Sequence, residues 1–161
     1  MKLYLVRHGK ALSAEEDSEK SLSFEGEANL YFVGRAYRKM QLKFNLIVTS
    51  PKKRTLQTAE ILAEKVLYDT NSIVQTELLT ADKDAKSTLD FLLKHTDKEH
   101  VLVVGHLPNL QELIFELVGM GNVIGLNLDN GQTIAMTFDP LTKEANLDWI
   151  LTTSLCKLMV T

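Results

Sequence analysis

The sequence predicts an α/β fold, a three-layer sandwich on a mostly parallel sheet with helices on both faces. Two observations carry that expectation. Short apolar runs without polar alternation, at residues 3–6, 46–48 and 101–104, read as strands buried on both faces. Longer segments with apolar residues three and four apart lie between them, as in amphipathic helices. Strands alternating with crossover helices imply a parallel sheet covered on both sides.

Taken in order, the first strand ends abruptly in Arg7-His8-Gly9, a cation, an imidazole and a glycine. The polar segment 10–21, with Glu15, Glu16, Asp17 and Glu19, reads as a solvated loop. Phe24, Ala28, Phe32, Ala36 and Met40 then recur every four residues, predicting a helix over 23–41 with Ser23 as N-cap and this stripe inward. Gly26 and Gly34 within it suggest close helix–sheet packing. After the second strand, Ser50 is placed to cap the next helix and Pro51 to occupy its first position. That helix runs to about residue 66, with Leu56, Ala59, Ala63 and Val66 inward. Its first turn carries Lys52, Lys53 and Arg54 at the positive end of the dipole, where each cation costs about 0.3–1 kcal/mol. The two lysines can simply be solvated, whereas an arginine beside free helix N–H groups makes a forked anion site.

A third strand is expected over 73–79, then a polar loop with Asp82 and Asp84, then a helix marked by Ala85, Leu89, Leu92 and Leu93 that ends near His95. His95 and His100 read as surface residues. The fourth strand ends in Gly105-His106, and Pro108 opens a helix with Leu110, Leu113, Ile114, Leu117 and Val118 at helical spacing. Gly119, Gly121 and Gly125 loosen the connection after that helix. Residues 133–139 and 146–152 read as a hairpin-like pair around Asp139-Pro140.

Composition narrows the function classes. With 161 residues, 45% of them hydrophobic, the chain reads as one globular domain over 1–161. A net charge of -3 argues against nucleic acid as a partner. No apolar run approaches the roughly 20 residues of a membrane span, and Met1-Lys2 leads directly into a strand, so neither membrane nor signal peptide is expected. The lone Cys156 excludes an internal disulfide, makes a structural zinc site improbable and suits a cytoplasmic location.

The chemistry lies at the strand ends. In an open parallel sheet the carboxyl ends share one edge, so Arg7, His8, Arg54 and His106 can meet in one crevice. Two guanidiniums and two imidazoles around a small volume match a phosphoryl group, whose oxygens need several charge-assisted donors in fixed geometry. Histidine can also attack phosphorus and split one displacement into two.

These residues resemble the histidine phosphatase superfamily. Arg7-His8-Gly9, then Ser50-Pro51 with Arg54, Gln57-Thr58-Ala59 and Gly105-His106 follow the order of its motifs, and Leu22-Ser23-Phe24-Glu25-Gly26 is similar to another. The turn at His106-Leu107-Pro108 and the ending around Trp149 and Lys157-Leu158-Met159 look most like the SixA-type phosphohistidine phosphatases. The resemblance implies a phosphoglycerate mutase-like fold and a ping-pong hydrolysis. His8 would be phosphorylated and then released by water, while Arg7, Gly9, Arg54 and His106 bind substrate, with no metal and no cofactor. Many relatives add an acid that protonates the leaving oxygen. Glu77, Asp82 and Asp84 are the nearest candidates by position, and no motif singles one out. Phosphohistidine expels imidazole, with a conjugate-acid pKa of about 6.5, and needs such help less than an alkyl ester does. The expected substrate is therefore a phosphorylated histidine in a protein, as in a phosphorelay or phosphotransfer system. A small-molecule phosphomonoesterase is the alternative, and a mutase fits less well because it must shield its phosphoenzyme from water. A non-catalytic phosphate-binding module would be expected to lack His8.

Overall fold

The computed structural model describes residues 1–119 and 125–161; Gly121 of the expected glycine-rich connection lies outside the described residues. Six strands form one sheet in the order β3-β2-β4-β1-β5-β6. They are β1 (Lys2–Arg7), β2 (Leu46–Thr49), β3 (Val74–Gln75), β4 (His100–Gly105), β5 (Thr133–Asp139) and β6 (Glu144–Leu151). β1, β2, β3 and β4 pair in parallel, and β5 and β6 add an antiparallel flank. The helices are α1 (Phe24–Lys39), α2 (Lys53–Lys65), α3 (Ala85–Leu93), α4 (Asn109–Val118) and α5 (Thr153–Val160).

Strand alternation divides the core into the expected layers. Leu3, Leu5, Val48, Val101 and Val103 pack on one face with Leu89 and Leu92 of α3 and Leu110, Leu113 and Leu117 of α4. Tyr4, Val6, Ile47, Leu102 and Val104 face the other way, against Val33, Ala36 and Tyr37 of α1, Ala59, Leu62 and Ala63 of α2, and Cys156 of α5. Full burial of each large apolar side chain contributes about 1.5–3 kcal/mol, so the central strands anchor both layers.

Several local expectations are corrected. α1 starts where expected, with Ser23 Oγ accepting from Gly26 N, but it buries Gly26, Leu30, Val33, Gly34, Ala36 and Tyr37. Phe24 is 88% exposed. A strict four-residue repeat overshoots a helical turn by about 40° each step, so the stripe through Phe24 and Met40 wanders off any single face. Ser50 does not cap α2: Lys52 holds the N-cap position without a side-chain bond, and Pro51 lies before the helix. The third strand is only Val74–Gln75, exposed at the sheet edge, and Glu77–Leu79 is one turn of 3-10 helix. His100 is half-buried, its Nδ1 3.0 Å from Tyr4 Oη, at the end of β4 away from the chemistry. α5, capped by Thr152, has no counterpart in the sequence reading.

Register carries the fold to the site. Arg7 pairs with Gly105, and Thr49 with Val104, so the next residues, His8, Ser50 and His106, emerge together at one sheet edge. Two further backbone bonds, His8 N to Gly105 O at 3.1 Å and Ser50 N to Val104 O at 3.4 Å, extend the ladders past the strand ends.

Candidate active site

Arg54 bridges the two histidines. Its Nε lies 3.3 Å from His8 Nε2, and its Nη2 lies 3.3 Å from His106 Nδ1. The imidazole rings stand 5.1 Å apart, centroid to centroid, tilted by 59°. The structure thus brings His8, Arg54 and His106 together as expected.

The protonation of His8 follows from its partners. Nδ1 is 2.7 Å from Gly9 O, an atom that can only accept, so the ring proton sits on Nδ1. Nε2 then carries the lone pair, and Arg54 donates to it. Burial lowers the His8 pKa to about 4, and the charges of Arg54 and Arg7 push the same way, while the Gly9 bond opposes. His106 is lowered to about 3, first by burial and then by His8, Arg54, Lys52 and Arg7. Both rings are therefore neutral at neutral pH.

Arg7 belongs to the same cluster electrostatically and donates from Nη1 to Leu128 O at 3.0 Å. Its Nε is buried with no hydrogen-bond partner among the described residues. Loop carbonyls normally leave few such donors unspent, because each orphan costs about 1–3 kcal/mol. Gly9 was expected to bind substrate; its N–H goes to Thr58 Oγ1 at 3.1 Å and its carbonyl to His8. A Cβ there would meet Leu30 Cδ1 at 2.7 Å, which explains the glycine by packing. Thr58 Oγ1 also donates to Arg54 O at 2.7 Å, tying the β1 end to α2.

The expected acids have other partners or face solvent. Asp84 caps α3, accepting from Ser87 N and Oγ. Asp82 accepts from Thr80 Oγ1 at 2.6 Å, and that bond above all holds its carboxyl below the usual range. Glu77 is exposed. Among the described residues, no hydrogen bond or ion pair joins the Glu77 or Asp82 carboxylate to Arg7, His8, Arg54 or His106. Lys52 and Lys53 are exposed, the latter paired with Glu19 at 2.5 Å.

Sequence reading missed the loop before β5. Asn130 Nδ2 donates to His8 O at 2.9 Å, and Gly131 N donates to Arg7 O at 2.9 Å. Gly131 has φ +73°, which glycine adopts without strain. The Asn-Gly pair was the available signal, a turn dipeptide directly ahead of a strand.

A mostly parallel sheet thus carries two neutral imidazoles and two guanidiniums at the carboxyl edge of its central strands. A family model, histidine phosphatase superfamily (branch 1), matches residues 3–80. An uncharacterized protein of Picosynechococcus is 31% identical over 115 residues, covering 70% of each chain. A phosphohistidine phosphatase SixA homolog of Haemophilus influenzae is 28% identical over 136 residues, 77% of this chain and 81% of that one. The protein histidine phosphatase SixA, solved with tungstate, superposes with a TM-score of 0.84 at 23% identity, covering 98% and 99%. The α-ribazole phosphatase of Shigella flexneri shares the fold at a TM-score of 0.71 and 16% identity, covering 95% and 97%. The chain belongs to the histidine phosphatase superfamily.

Proposed function

We propose that the protein removes phosphate from phosphohistidine borne by a protein, through a covalent intermediate on His8. The observation that carries this reading is the His8 tautomer. With the ring proton committed to Gly9 O, Nε2 offers a lone pair toward the Arg54 guanidinium, and the depressed pKa keeps that nitrogen unprotonated at neutral pH. In the first step Nε2 forms a bond to phosphorus as the bond to the leaving nitrogen breaks. In the second, water attacks phosphorus, returns the electron pair to Nε2 and releases inorganic phosphate. Arg54, Arg7 and His106 hold the phosphoryl oxygens throughout, and the unspent Nε of Arg7 supplies one of those bonds. Gly9 serves by fixing the His8 ring. No metal enters this scheme.

The placement of acids favours a phosphoramidate over an alkyl ester. An alkoxide needs a proton as it leaves, and Asp82 is a charged carboxylate committed to Thr80. An imidazole leaving group departs protonated without it. The test is kcat/KM for a phosphohistidine peptide against an alkyl phosphate, with and without EDTA. The proposal expects the peptide to be preferred and EDTA to leave the rate unchanged. A preference for the alkyl phosphate would install the small-molecule phosphomonoesterase reading instead.

A further inference from the structure

Ser50, misread as a helix cap, sits fully buried against the back of His106, with Thr55, also fully buried, behind it. Ser50 Oγ lies 2.8 Å from His106 Nε2 and 2.6 Å from Thr55 Oγ1. Thr55 Oγ1 donates onward to Lys52 O at 2.7 Å. The direction of this chain is forced at its other end. Arg54 Nη2 can only donate, so His106 Nδ1 accepts and the ring proton lies on Nε2. That proton goes to Ser50 Oγ, which also receives Lys52 N–H at 3.3 Å. With both lone pairs filled, Ser50 gives its own proton to Thr55 Oγ1, which gives its proton to the Lys52 carbonyl. The Thr55 proton has a second acceptor, the Ser50 carbonyl at 3.1 Å, and the direction of the chain from His106 to Thr55 is the same with either.

We propose that Ser50 and Thr55 are positioning residues that lock the His106 tautomer, so that this imidazole gains and loses its proton only at Nδ1, the atom facing the phosphoryl group. In the empty site Nδ1 accepts from Arg54. With phosphate bound, Nδ1 takes a proton and donates to a phosphoryl oxygen, while Nε2–H stays on Ser50. The imidazolium makes the stronger bond to Ser50, because a charged donor strengthens a hydrogen bond. Ser50 thus stabilises the charged form, opposing burial and the charges that face His106, which are those of Arg7 at the β1 end, Arg54 and Lys52 at the start of α2, and His8 at the acid pH where it is protonated. The chain ends on the carbonyl two residues before Arg54, so one network orients both the histidine and the turn carrying the guanidinium.

The inference rests on His106 binding the phosphoryl group, and its first test is independent of turnover. Nitrogen-15 spectra of the empty full-length protein should place the His106 proton on Nε2; a proton on Nδ1 overturns the lock. In kinetics, Ser50→Ala should lower kcat about 10–100-fold, by analogy with the loss of a partner that orients a metal-bound histidine. KM should change less than about threefold, because Arg7 and Arg54 still bind the phosphoryl group. The alkaline limb of the kcat profile should move to lower pH, since the imidazolium has lost an acceptor. Thr55→Val, nearly isosteric, should shift the limb the same way, and Thr55→Ser should restore it. If Ser50→Ala fails to fold, the Thr55 pair decides. An unshifted limb in Thr55→Val, or a shift in Thr55→Ser as large as in Thr55→Val, overturns the proposal.

Discussion

Replacing Arg54 with lysine keeps the charge and removes the fork. In the native protein Nε and Nη2 reach two different imidazoles, each at 3.3 Å, from one rigid plane. A lysine ammonium is a single point that can satisfy one of these directions, and on phosphate it likewise replaces two parallel bonds with one. A hydrogen bond involving a charged group is worth about 1.5–3 kcal/mol. Losing one such bond in the transition state predicts a fall of roughly 10- to 150-fold in kcat/KM, at 1.36 kcal/mol per factor of ten. The neighbouring lysines give the contrast, since they are exposed and a surface ion pair is worth less than about 1 kcal/mol. Lys52→Ala and Lys53→Ala should therefore stay within about fivefold of wild type. The assay is steady-state hydrolysis of a phosphohistidine peptide, with urea midpoints confirming that all three variants fold. An Arg54→Lys enzyme within twofold of wild type would refute the forked geometry.

The acid limb of the kcat/KM profile should fall near pH 4 rather than 6.5, since it reports the free enzyme and burial lowers His8 to about 4; rates at each pH are corrected for spontaneous hydrolysis, and a limb near 6.5 contradicts the assignment. The same shifts bear on stability. The unfolded chain protonates these histidines below about pH 6.5 and the folded one only near 4 for His8 and 3 for His106, so urea midpoints should fall as pH drops through that interval. Glu77→Gln and Asp82→Asn should each reduce phosphohistidine hydrolysis less than about tenfold, well short of the 10²–10⁴-fold expected for a true general acid. Gly26→Ala would ordinarily strengthen a helix by about 1 kcal/mol. Here a Cβ would meet Lys10 O at 2.1 Å, so the sign should invert, with a net loss of about 1–3 kcal/mol in urea unfolding.

The candidate site residues were legible because they lie at or just beyond the ends of strands whose apolar runs are unambiguous. Once the sheet is parallel, register alone brings Arg7 beside Gly105 and Thr49 beside Val104. The illegible features depended on tertiary context. Ser50 has the composition of a cap, and nothing local shows that its hydroxyl turns instead to a histidine 56 residues later. Arg7 and His8 are held by Leu128 O and Asn130, and a backbone carbonyl leaves no trace in sequence. The buried face of α1 was misjudged because Leu30, Val33 and Tyr37 interleave with the four-residue series that drew attention. α5 is a short helix whose apolar residues only partly face inward, with Cys156 buried and Leu158 77% exposed.

The central claim is that His8 carries the phosphoryl group on Nε2. Rapid quenching during turnover of a labelled phosphohistidine substrate, followed by peptide mapping, tests it most directly. The account predicts an acid-labile, alkali-stable label on His8, linked through Nε2, and no label in a folded His8→Ala protein. A label on His106, or turnover by His8→Ala, would contradict it.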